Sequence, residues 1–308
     1  MNKYDKETYN YIYSDRELLQ VKRISLEMAK LFWQFCKENG LLAFLCRGSC
    51  IGALRKGGFI PWDDDIDFFM PRRDYMRFLR LWPDYDPGRR YALSIHSKDF
   101  TDRNAYATLR DRRTTMIRPY QKDLDLVHGV ALDIMPLDGY PDDSGSRKKQ
   151  MRWAHIYLLF SEEKVPENSS RFMRIAGPML LGLFRGRRMR YRFIKYSQKM
   201  MSAYKIGKCE GVTELCSGVA YRNNWYDKVW FNTYREVPFE NTLLPVPAGA
   251  EDYLLTAFGD YTILPPEEER IAQRDIVYLD LEKPYQDYHG KYYCVNREPK
   301  HKRKEWVD

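Results

Sequence analysis

Long apolar segments are missing from this chain. No run of eighteen apolar residues occurs, so no transmembrane helix is expected, and the polar segment Met1–Asp5 lacks the apolar stretch of a signal peptide. The six cysteines form no Cys-x-x-Cys pair, which argues against a zinc site or a disulfide framework and favours reduced core thiols. No internal repeat and no RRM or KH signature is present. These absences predict a globular cytoplasmic protein that does not bind nucleic acid.

The composition is that of a globular protein with an excess of positive charge. Of the 308 residues, 44% are hydrophobic and 31% are charged, which suits one large domain or a core with an insertion. The 51 basic and 43 acidic residues leave a net charge of +8. A basic protein attracts polyanions such as nucleic acid, anionic lipid or a phosphate-rich polymer. Without a nucleic-acid motif, the lipid surface or the polymer is the expected partner.

An acidic strand is the most informative feature of the sequence. Residues 58–71 read Gly-Phe-Ile-Pro-Trp-Asp-Asp-Asp-Ile-Asp-Phe-Phe-Met-Pro. Side chains alternate between the two faces of a strand, so Asp63, Asp65 and Asp67 are predicted to share one face. Carboxylates crowded at the edge of a core need a counter-charge, and Mg²⁺ is the usual one because it takes oxygen ligands and bridges phosphates. An acidic turn or a helix N-terminus is the alternative, but the apolar flanks favour the metal.

A phosphate-binding turn is predicted just before this strand. The apolar run Leu41–Leu45 indicates a strand, Gly48 and Ser49 a tight turn, and the residues up to Arg55 a short helix. A helix N-terminus after a glycine turn presents free backbone N–H groups to phosphate. Gly-Ser alone is a weak signal. Joined to the acidic strand at this distance it is typical of nucleotidyltransferases, in which the turn holds the nucleotide phosphates and the aspartates hold the metals.

A third carboxylate is expected on a neighbouring strand. Asp133 is a single charge inside the apolar run 129–137, and a lone buried carboxylate is costly unless it is paired, protonated or bound to metal. Asp133 is therefore assigned to the site. Asp138 directly precedes Gly139, and because Asp-Gly is a common turn signal, Asp138 is predicted to be structural.

Three segments of the chain match the motifs of one known family. Gly48–Met70 follows the form Gly-Thr/Ser-Leu-Leu-Gly-Ala-x-Arg and then Gly-Phe-Ile-Pro-Trp-Asp-Asp-Asp-Ile-Asp, Leu132–Gly139 follows a second motif, and Phe258–Glu268 contains a third. Cys50 and Met135 stand where that family prefers Leu and Phe, and both keep an apolar side chain. Across most of its length the chain therefore resembles the LicD family of phosphotransferases.

The resemblance implies an activity, a cofactor and partners. LicD-type enzymes transfer a phospho-alcohol, typically phosphocholine, from a CDP-linked donor to a sugar hydroxyl of a cell-surface glycan such as teichoic acid, lipooligosaccharide or a capsule precursor. Distant relatives transfer ribitol phosphate to glycans. The implied cofactor is Mg²⁺, as one or two ions, for which Mn²⁺ can substitute. The implied partners are the CDP-linked alcohol and a lipid-linked or polymeric glycan acceptor.

Roles for individual residues follow from the pattern and the resemblance together. Asp65 and Asp67 are expected to bind metal, and Asp133 is expected to complete the site and to position or deprotonate the acceptor hydroxyl. Asp63 is expected either to bind the metal itself or to support a neighbouring metal ligand. The predicted catalytic residues are Asp65, Asp67 and Asp133, and the predicted metal ligands are these three with Asp63. The predicted donor-binding residues are Gly48, Ser49, Arg55, Lys56 and Arg110, with solvated helix-end charges as the alternative for Arg55 and Lys56.

The predicted fold class is α+β, with a nucleotidyltransferase-like mixed β-sheet core flanked by helices and a helical insertion. Residues 1–143 are assigned to the catalytic core, 144–211 to the basic helical insertion and 212–308 to a segment that returns to the core.

One basic amphipathic helix is predicted at 171–195, inside the insertion. Ile175, Met179 and Leu183 alternate there with seven arginines. Such a helix can lie on an anionic membrane, which would make the protein peripheral at the inner face of the membrane. The alternative is an ordinary helix that covers the core, with its arginines solvated or bound to donor phosphate.

Two other classes of function stay open. A nucleotidyltransferase would use the same metals to transfer NMP from an NTP to a small alcohol or RNA, and it would release pyrophosphate where the phosphotransferase releases CMP. A non-catalytic glycan- or membrane-binding scaffold would bind no Mg²⁺. The intact set of carboxylates argues against the scaffold, because a relic would not need to maintain their repulsion.

Overall fold

The computed structural model describes residues 9–86, 90–165, 171–216 and 221–295, with the backbone alone at Phe172. In these ranges the strands are β1 (Tyr11–Ile12), β2 (Phe44–Leu45), β3 (Asp67–Pro71), β4 (Tyr91–Ser94), β5 (Ala107–Asp111), β6 (Thr115–Ile117), β7 (Ala131–Tyr140), β8 (Gly211–Thr213), β9 (Tyr226–Asp227), β10 (Tyr234–Phe239), β11 (Thr242–Pro247), β12 (Gln273–Arg274) and β13 (Tyr278–Asp280). The helices are α1 (Asp15–Glu38), α2 (Arg47–Lys56), α3 (Arg72–Tyr85), α4 (Ser144–Ser161), α5 (Arg171–Leu183), α6 (Arg187–Met201) and α7 (Ala250–Phe258).

A mixed sheet forms the centre of the fold. Its order is β2-β3-β7-β5-β4, with β8 paired to β7 and β9 paired to β8. β3 and β7 run parallel, and the other neighbours run antiparallel. β7 is central because its sequence is almost continuously apolar, which suits a strand covered on both faces. The α+β prediction, with a mixed sheet and flanking helices, is confirmed.

Helix α1 covers this sheet and is set by local signals. Its N-terminus is a capping box, in which the Ser14 hydroxyl accepts from the Glu17 N–H and the Glu17 carboxylate accepts from the Ser14 N–H. Phe32 and Phe35 on its buried face make edge-to-face contacts with Phe78 of α3. The helix predicted from apolar spacing therefore packs on the core as an amphipathic helix should.

The helices α4, α5 and α6 surround a second core cluster, in which Leu158 and Phe160 of α4 meet Ile194 and Met201 of α6. The single helix predicted over 171–195 is wrong. The chain forms two helices, because Gly186 takes an extended conformation and serves as the N-cap of α6. None of the helices in the described ranges combines the length and the apolarity needed to cross a lipid bilayer.

The chain returns to the central sheet after these helices. β8 begins at Gly211 and adds to β7, and Asp138 pairs there with Thr213. Asp138 therefore lies inside a strand and not in the predicted turn, although it is structural, since Arg72 donates to its carboxylate at 2.8 and 2.6 Å. The predicted inner limits fall at the start of α4 and inside β8. The outer limits at 1 and 308 lie outside the described residues. The division into these units stays a prediction.

Candidate active site

Two parallel strands bring Asp67 and Asp133 side by side. The register of β3 and β7 pairs these two residues directly, and Thr108 of β5 lies opposite Asp133 on the other side. Register partners point to the same face, and neighbouring strands are about 4.8 Å apart. Two carboxylates therefore face each other across adjacent strands, as expected from the assignment of Asp133 to a neighbouring strand.

Ser49 fixes the start of β3. Its hydroxyl accepts a hydrogen bond from the Asp67 N–H at 2.9 Å, and the Cys46 N–H donates to the Asp67 carbonyl at 3.1 Å. The N-cap residue Cys46 makes no side-chain hydrogen bond. The Arg47 N–H donates to the Tyr253 hydroxyl at 3.1 Å, so the N–H groups of Gly48 and Ser49 are the ones that this helix N-terminus offers to an anion. Ser49 is thus a positioning residue for Asp67, and the predicted phosphate contact depends on the backbone of the helix rather than on this hydroxyl.

Gly48 lets the carboxylate of Asp63 lie against the N-terminal turn of α2. A Cβ atom built on Gly48 would overlap Oδ2 of Asp63. A glycine is required here because the side chain of any other residue would displace the carboxylate. Gly48 and Asp63 are therefore in direct contact, and the helix N-terminus adjoins the acidic segment.

The acidic segment Asp63–Ile66 is extended, but it is not part of the sheet. The predicted strand 63–70 begins only at Asp67, because β2 pairs with no more than Phe68 and Phe69 and offers no partner further upstream. Even so, the predicted alternation holds, since Asp64 is buried and the residues on either side of it are half-buried. Carboxylate oxygens of Asp63, Asp64 and Asp65 all lie within 4.8 Å of one another.

Arg274 reaches this segment from the far end of the described chain. Its guanidinium donates to one oxygen of Asp64 and one oxygen of Asp65, and the Tyr13 hydroxyl donates to the other Asp64 oxygen at 2.5 Å. The antiparallel pair of β1 and β12 sets Tyr11 opposite Arg274. Asp64 is therefore fully engaged by protein groups, whereas Asp65 keeps one oxygen outside the Arg274 pair.

The negative charge of the site exceeds what Arg274 compensates. Burial, and then the charge of Asp65, raise the pKa of both Asp67 and Asp133. Burial would also raise the pKa of Asp65, but the charge and the hydrogen bond of Arg274 outweigh it, so that pKa is lowered. Oδ1 of Asp67 is buried without any hydrogen-bond partner. An unsatisfied buried oxygen among crowded carboxylates fits a divalent cation, which takes oxygen ligands.

The surroundings of Asp63 disfavour its charged form. Burial and the charges of Asp65 and Asp64 raise the pKa of Asp63 well above its ordinary value, and it shares a side-chain hydrogen bond with Asp65. Metal ligands must be deprotonated, so a divalent cation at this pair would supply the positive charge that favours the ionised form of both carboxyl groups.

Two further cations face the carboxylates. Arg110 is buried in β5, donates to Oε1 of Gln121 at 3.0 Å, and its charge acts to lower the pKa of Asp133. The guanidinium of Arg118 makes no hydrogen bond and no ion pair with any of the residues that the structure describes. Burial and the neighbouring charge of Arg274 lower the pKa of Arg118. A cation held beside another cation in this way favours an incoming anion.

The sequence comparisons point to one family. Residues 40–155 match the family described as "LicD/FKTN/FKRP, nucleotidyltransferase domain", and this range contains all of the aspartates described above. The match supports membership of the LicD family. It is similar to the lipopolysaccharide cholinephosphotransferase LicD of Haemophilus influenzae, with 26% identity over 263 residues, which is 82% of this chain and 94% of that protein. This similarity supports the prediction that the chain is a phosphotransferase.

A shorter similarity links the chain to a yeast protein. Mannosyltransferase regulator 4 of Saccharomyces cerevisiae is 32% identical over 83 residues, which is 26% of this chain but 6% of that protein. The likeness is therefore confined to a small part of the yeast protein.

The structure brings together most, but not all, of the predicted site. Gly48, Ser49, Arg110 and the four predicted carboxylates surround the same region. Arg55 and Lys56 do not join it, because they occupy the last turn of α2, about 10 Å along the helix axis from Gly48. Arg55 donates instead to the Tyr261 carbonyl at 3.4 Å, and Lys56 is exposed.

Sequence reasoning missed several residues of the candidate site. Tyr106 donates to Oδ2 of Asp133 at 3.2 Å, and Asp133, followed by burial, raises the pKa of Tyr106. Tyr13 and Arg274 lie outside the matched range and join the site through β1 and β12. Their neighbours in the sequence carry no signal for this role. For Arg118, the excess of basic residues in the chain was the one available hint.

Proposed function

We propose that this protein transfers a phospho-alcohol from a CDP-linked donor to a sugar hydroxyl of a cell-surface glycan in a Mg²⁺-dependent reaction. The observation that carries the proposal is the cluster of crowded, buried carboxylates beside a helix N-terminus whose N-cap residue makes no side-chain hydrogen bond. Phosphocholine is the favoured group and lipopolysaccharide the favoured type of acceptor, because the relative from Haemophilus influenzae bears those words in its name.

Asp63, Asp65, Asp67 and Asp133 are the residues that would hold the cation. A bound Mg²⁺ would neutralise charge on the donor diphosphate and on the departing CMP. Asp64 is excluded from this set, since Tyr13 and Arg274 already use both of its oxygens. The orphan oxygen of Asp67 is the strongest individual argument for a ligand at this position.

The donor phosphates would lie between the N-terminus of α2 and Arg118. The helix contributes backbone N–H groups and the positive end of its dipole. Arg118 contributes a guanidinium with no ion-pair partner among the described residues, and a planar guanidinium suits a phosphate. These two groups take over the role that the sequence assigned to Arg55 and Lys56.

Asp133 is the proposed base for the acceptor hydroxyl. Burial raises its pKa, which improves its ability to take a proton, and the Tyr106 hydroxyl fixes its orientation. The acceptor oxygen forms a bond to the phosphorus that carries the alcohol. The bond from that phosphorus to the bridging oxygen of CMP breaks, CMP leaves with the electron pair, and the acceptor proton passes to Asp133.

The test measures product release by the purified full chain with Mg²⁺ and CDP-choline, CDP-ribitol, CDP-glycerol or CTP. Asp65→Asn is expected to leave less than about 1% of the turnover, because it removes a metal ligand. The control Asp84→Asn, on the exposed surface of α3, is expected to retain full turnover.

Release of CMP from a CDP-alcohol would support the phosphotransferase. Pyrophosphate from CTP would identify a nucleotidyltransferase. A chain that neither turns over any donor nor gains thermal stability from Mg²⁺ would be a scaffold. A donor present at one hundred times its Kd should add about 2.7 kcal/mol to the free energy of unfolding.

A further inference from the structure

The helices α5 and α6 form a surface with charge of one sign. From Arg171 to Cys209 the chain has eleven basic residues and no Asp or Glu, where about five acidic residues would be expected from the average of 43 in 308. Arg190 is half-buried and bonded to Glu163, but most of the others are exposed. The exposed basic residues on the two helices and in the short segment between them are Arg171, Arg174, Arg185, Arg187, Arg188, Arg192, Lys195 and Lys199.

An apolar stripe runs along the outer side of α5. Ile175, Met179 and Leu183 are 69%, 70% and 75% exposed, and their spacing of four residues places them on one face of the helix. We call these three residues the α5 stripe. Three large apolar side chains in a row on the surface need an explanation, because isolated ones are normal but contiguous ones mark interaction sites.

The inner side of α5 is already occupied, so the stripe is not a core face that has lost its partner. Met173, Leu180 and Leu181 pack against the second core cluster. Gly177 lies so close to Val165 that a Cβ atom there would come within 2.8 Å of it. The helix is therefore seated on the protein by one side and presents the α5 stripe on another.

We propose that the α5 stripe and the exposed basic residues around it dock this protein on an anionic lipid surface. The stripe would enter the boundary between headgroups and acyl chains, and the arginines would bind lipid phosphates with their stems along the apolar surface. Charge complementarity selects lipid over a protein partner, since eight exposed cations without a single acid match a uniformly negative surface. A soluble polyanion would use the charges but would leave the stripe in water.

Two ion pairs and one hydrogen bond join helix α6 to the loop that carries Arg118. Arg190 of α6 and Arg103 both bind Glu163. Arg103 also donates to the carbonyl of Tyr120 at 2.8 Å, two residues after Arg118. The helices of the docking surface are therefore connected to the loop that carries Arg118, a proposed donor ligand. Membrane docking does not depend on the proposed function, but the meaning of this connection for donor binding rests on it.

The test is sedimentation of the full chain with lipid vesicles. Vesicles of phosphatidylcholine with about 30% phosphatidylglycerol are expected to retain the protein at about 0.1 M salt. Vesicles of phosphatidylcholine alone are expected to retain little. Retention on both kinds equally, or on neither, would overturn the proposal.

Variants separate the charge from the stripe. Arg171→Gln with Arg174→Gln is expected to weaken binding roughly thirtyfold, at roughly fivefold or about 1 kcal/mol per cation. The matched control, Arg80→Gln with Arg112→Gln, changes exposed arginines elsewhere and should bind as the parent does. A triple variant that replaces the α5 stripe with serine (Ile175→Ser, Met179→Ser and Leu183→Ser) should no longer be retained on anionic vesicles. The control Leu243→Ser with Leu255→Ser, which changes exposed leucines elsewhere, should still be retained.

A fluorescence measurement tests the orientation without removing the stripe. Met179→Trp should show a blue-shifted emission and quenching by brominated lipid when anionic vesicles are added. Leu255→Trp, on α7, should show neither change. If the indole introduced at position 179 stays in water, or if the serine triple variant binds as well as the parent, the surface binds polyanions by charge alone and the proposal is wrong.

Discussion

Arg274 is the single residue that most strongly shapes the charge distribution of the site. Its guanidinium engages Asp64 and Asp65 together, and this lowers the pKa of Asp65 while the pKa values of Asp63, Asp67 and Asp133 stay raised. Arg274 pairs with two of the five crowded carboxyl groups, and the pKa values of the other three stay raised although Arg110 and Arg118 lie near Asp133. The site is therefore ionised at Asp65 and prepared for a further cation at its neighbours.

Arg118 provides the sharpest test of donor binding. Arg118→Gln is expected to raise KM for the CDP-linked donor about tenfold to a hundredfold, because a hydrogen bond to a charged group contributes about 1.5–3 kcal/mol. The melting temperature should not fall, since burial and Arg274 disfavour the charge of Arg118 in the free protein. Steady-state kinetics and thermal unfolding measure both quantities.

Arg55→Gln is the matched comparison, because Arg55 was the candidate that sequence position favoured. The structure places it at the opposite end of α2, so its KM should stay near the parent value. A larger effect from Arg55 than from Arg118 would contradict the role assigned to Arg118. Arg118→Lys should recover part of the affinity, since it keeps the charge but loses the planar fork.

At the scale of elements, the close contact of α2 with the acidic segment should be easily disrupted by substitution. Gly48→Ala should displace Asp63, because the new Cβ atom overlaps its carboxylate, and should lower the free energy of unfolding by about 1–3 kcal/mol. Mg²⁺ affinity measured by calorimetry should fall in the same variant. Gly182→Ala, in α5 with nothing within 4 Å, should instead leave stability unchanged or raised by up to about 1 kcal/mol. Equal behaviour of the two variants would refute the contact.

His128 links acid stability to the loop between β6 and β7. Its ring is buried against Tyr293, with the ring centroids 4.4 Å apart, and burial lowers its pKa from 6.5 to about 3. Between these two pH values the unfolded chain binds more protons than the folded one, so stability rises with pH through this window and is lost as the pH falls. The loss reaches several kcal/mol at about 1.4 kcal/mol per pKa unit.

The corresponding measurement is urea unfolding of the parent and of His128→Phe at several pH values from 7 down to 4. The phenylalanine can stack on Tyr293 but does not titrate. The stability of the variant should therefore fall less steeply below pH 6.5 than that of the parent. Parallel pH curves would show that His128 is not the group responsible. Other acidic and basic groups contribute to both curves alike, so the difference between them isolates this ring.

Prediction from the sequence succeeded for elements whose signals are local. The capping box and apolar spacing set α1, and the apolar runs set β3 and β7 with their carboxylates. It failed where the pairing of one strand with another decides which residues form a strand. Asp63–Ile66 lacks a partner strand, and Asp138 has one in β8 despite its turn-like sequence. Likewise, Tyr13 and Arg274 join the site only because β1 pairs with β12, which no spacing in the chain reveals.

At the scale of the whole molecule, two cores with different tasks share one chain. The first core supports the sheet and its carboxylates, and the second supports the basic helices. The charge run and the apolar stripe were readable from the sequence, since both are local. Their exposure was not, because only the packing of Leu180 and Leu181 on α4 determines which face of α5 is left outside.

The position of Arg274 also has a consequence for biosynthesis. Asp65 leaves the ribosome 209 residues before its partner, which is about 10–40 s at roughly 5–20 residues per second. During that interval the sheet strands β3 and β7 are already available, while the acidic segment has no guanidinium to hold it. The candidate active site is thus among the last parts of the nascent protein to be completed, because the segment around residue 274 must first be made and fold back onto β1.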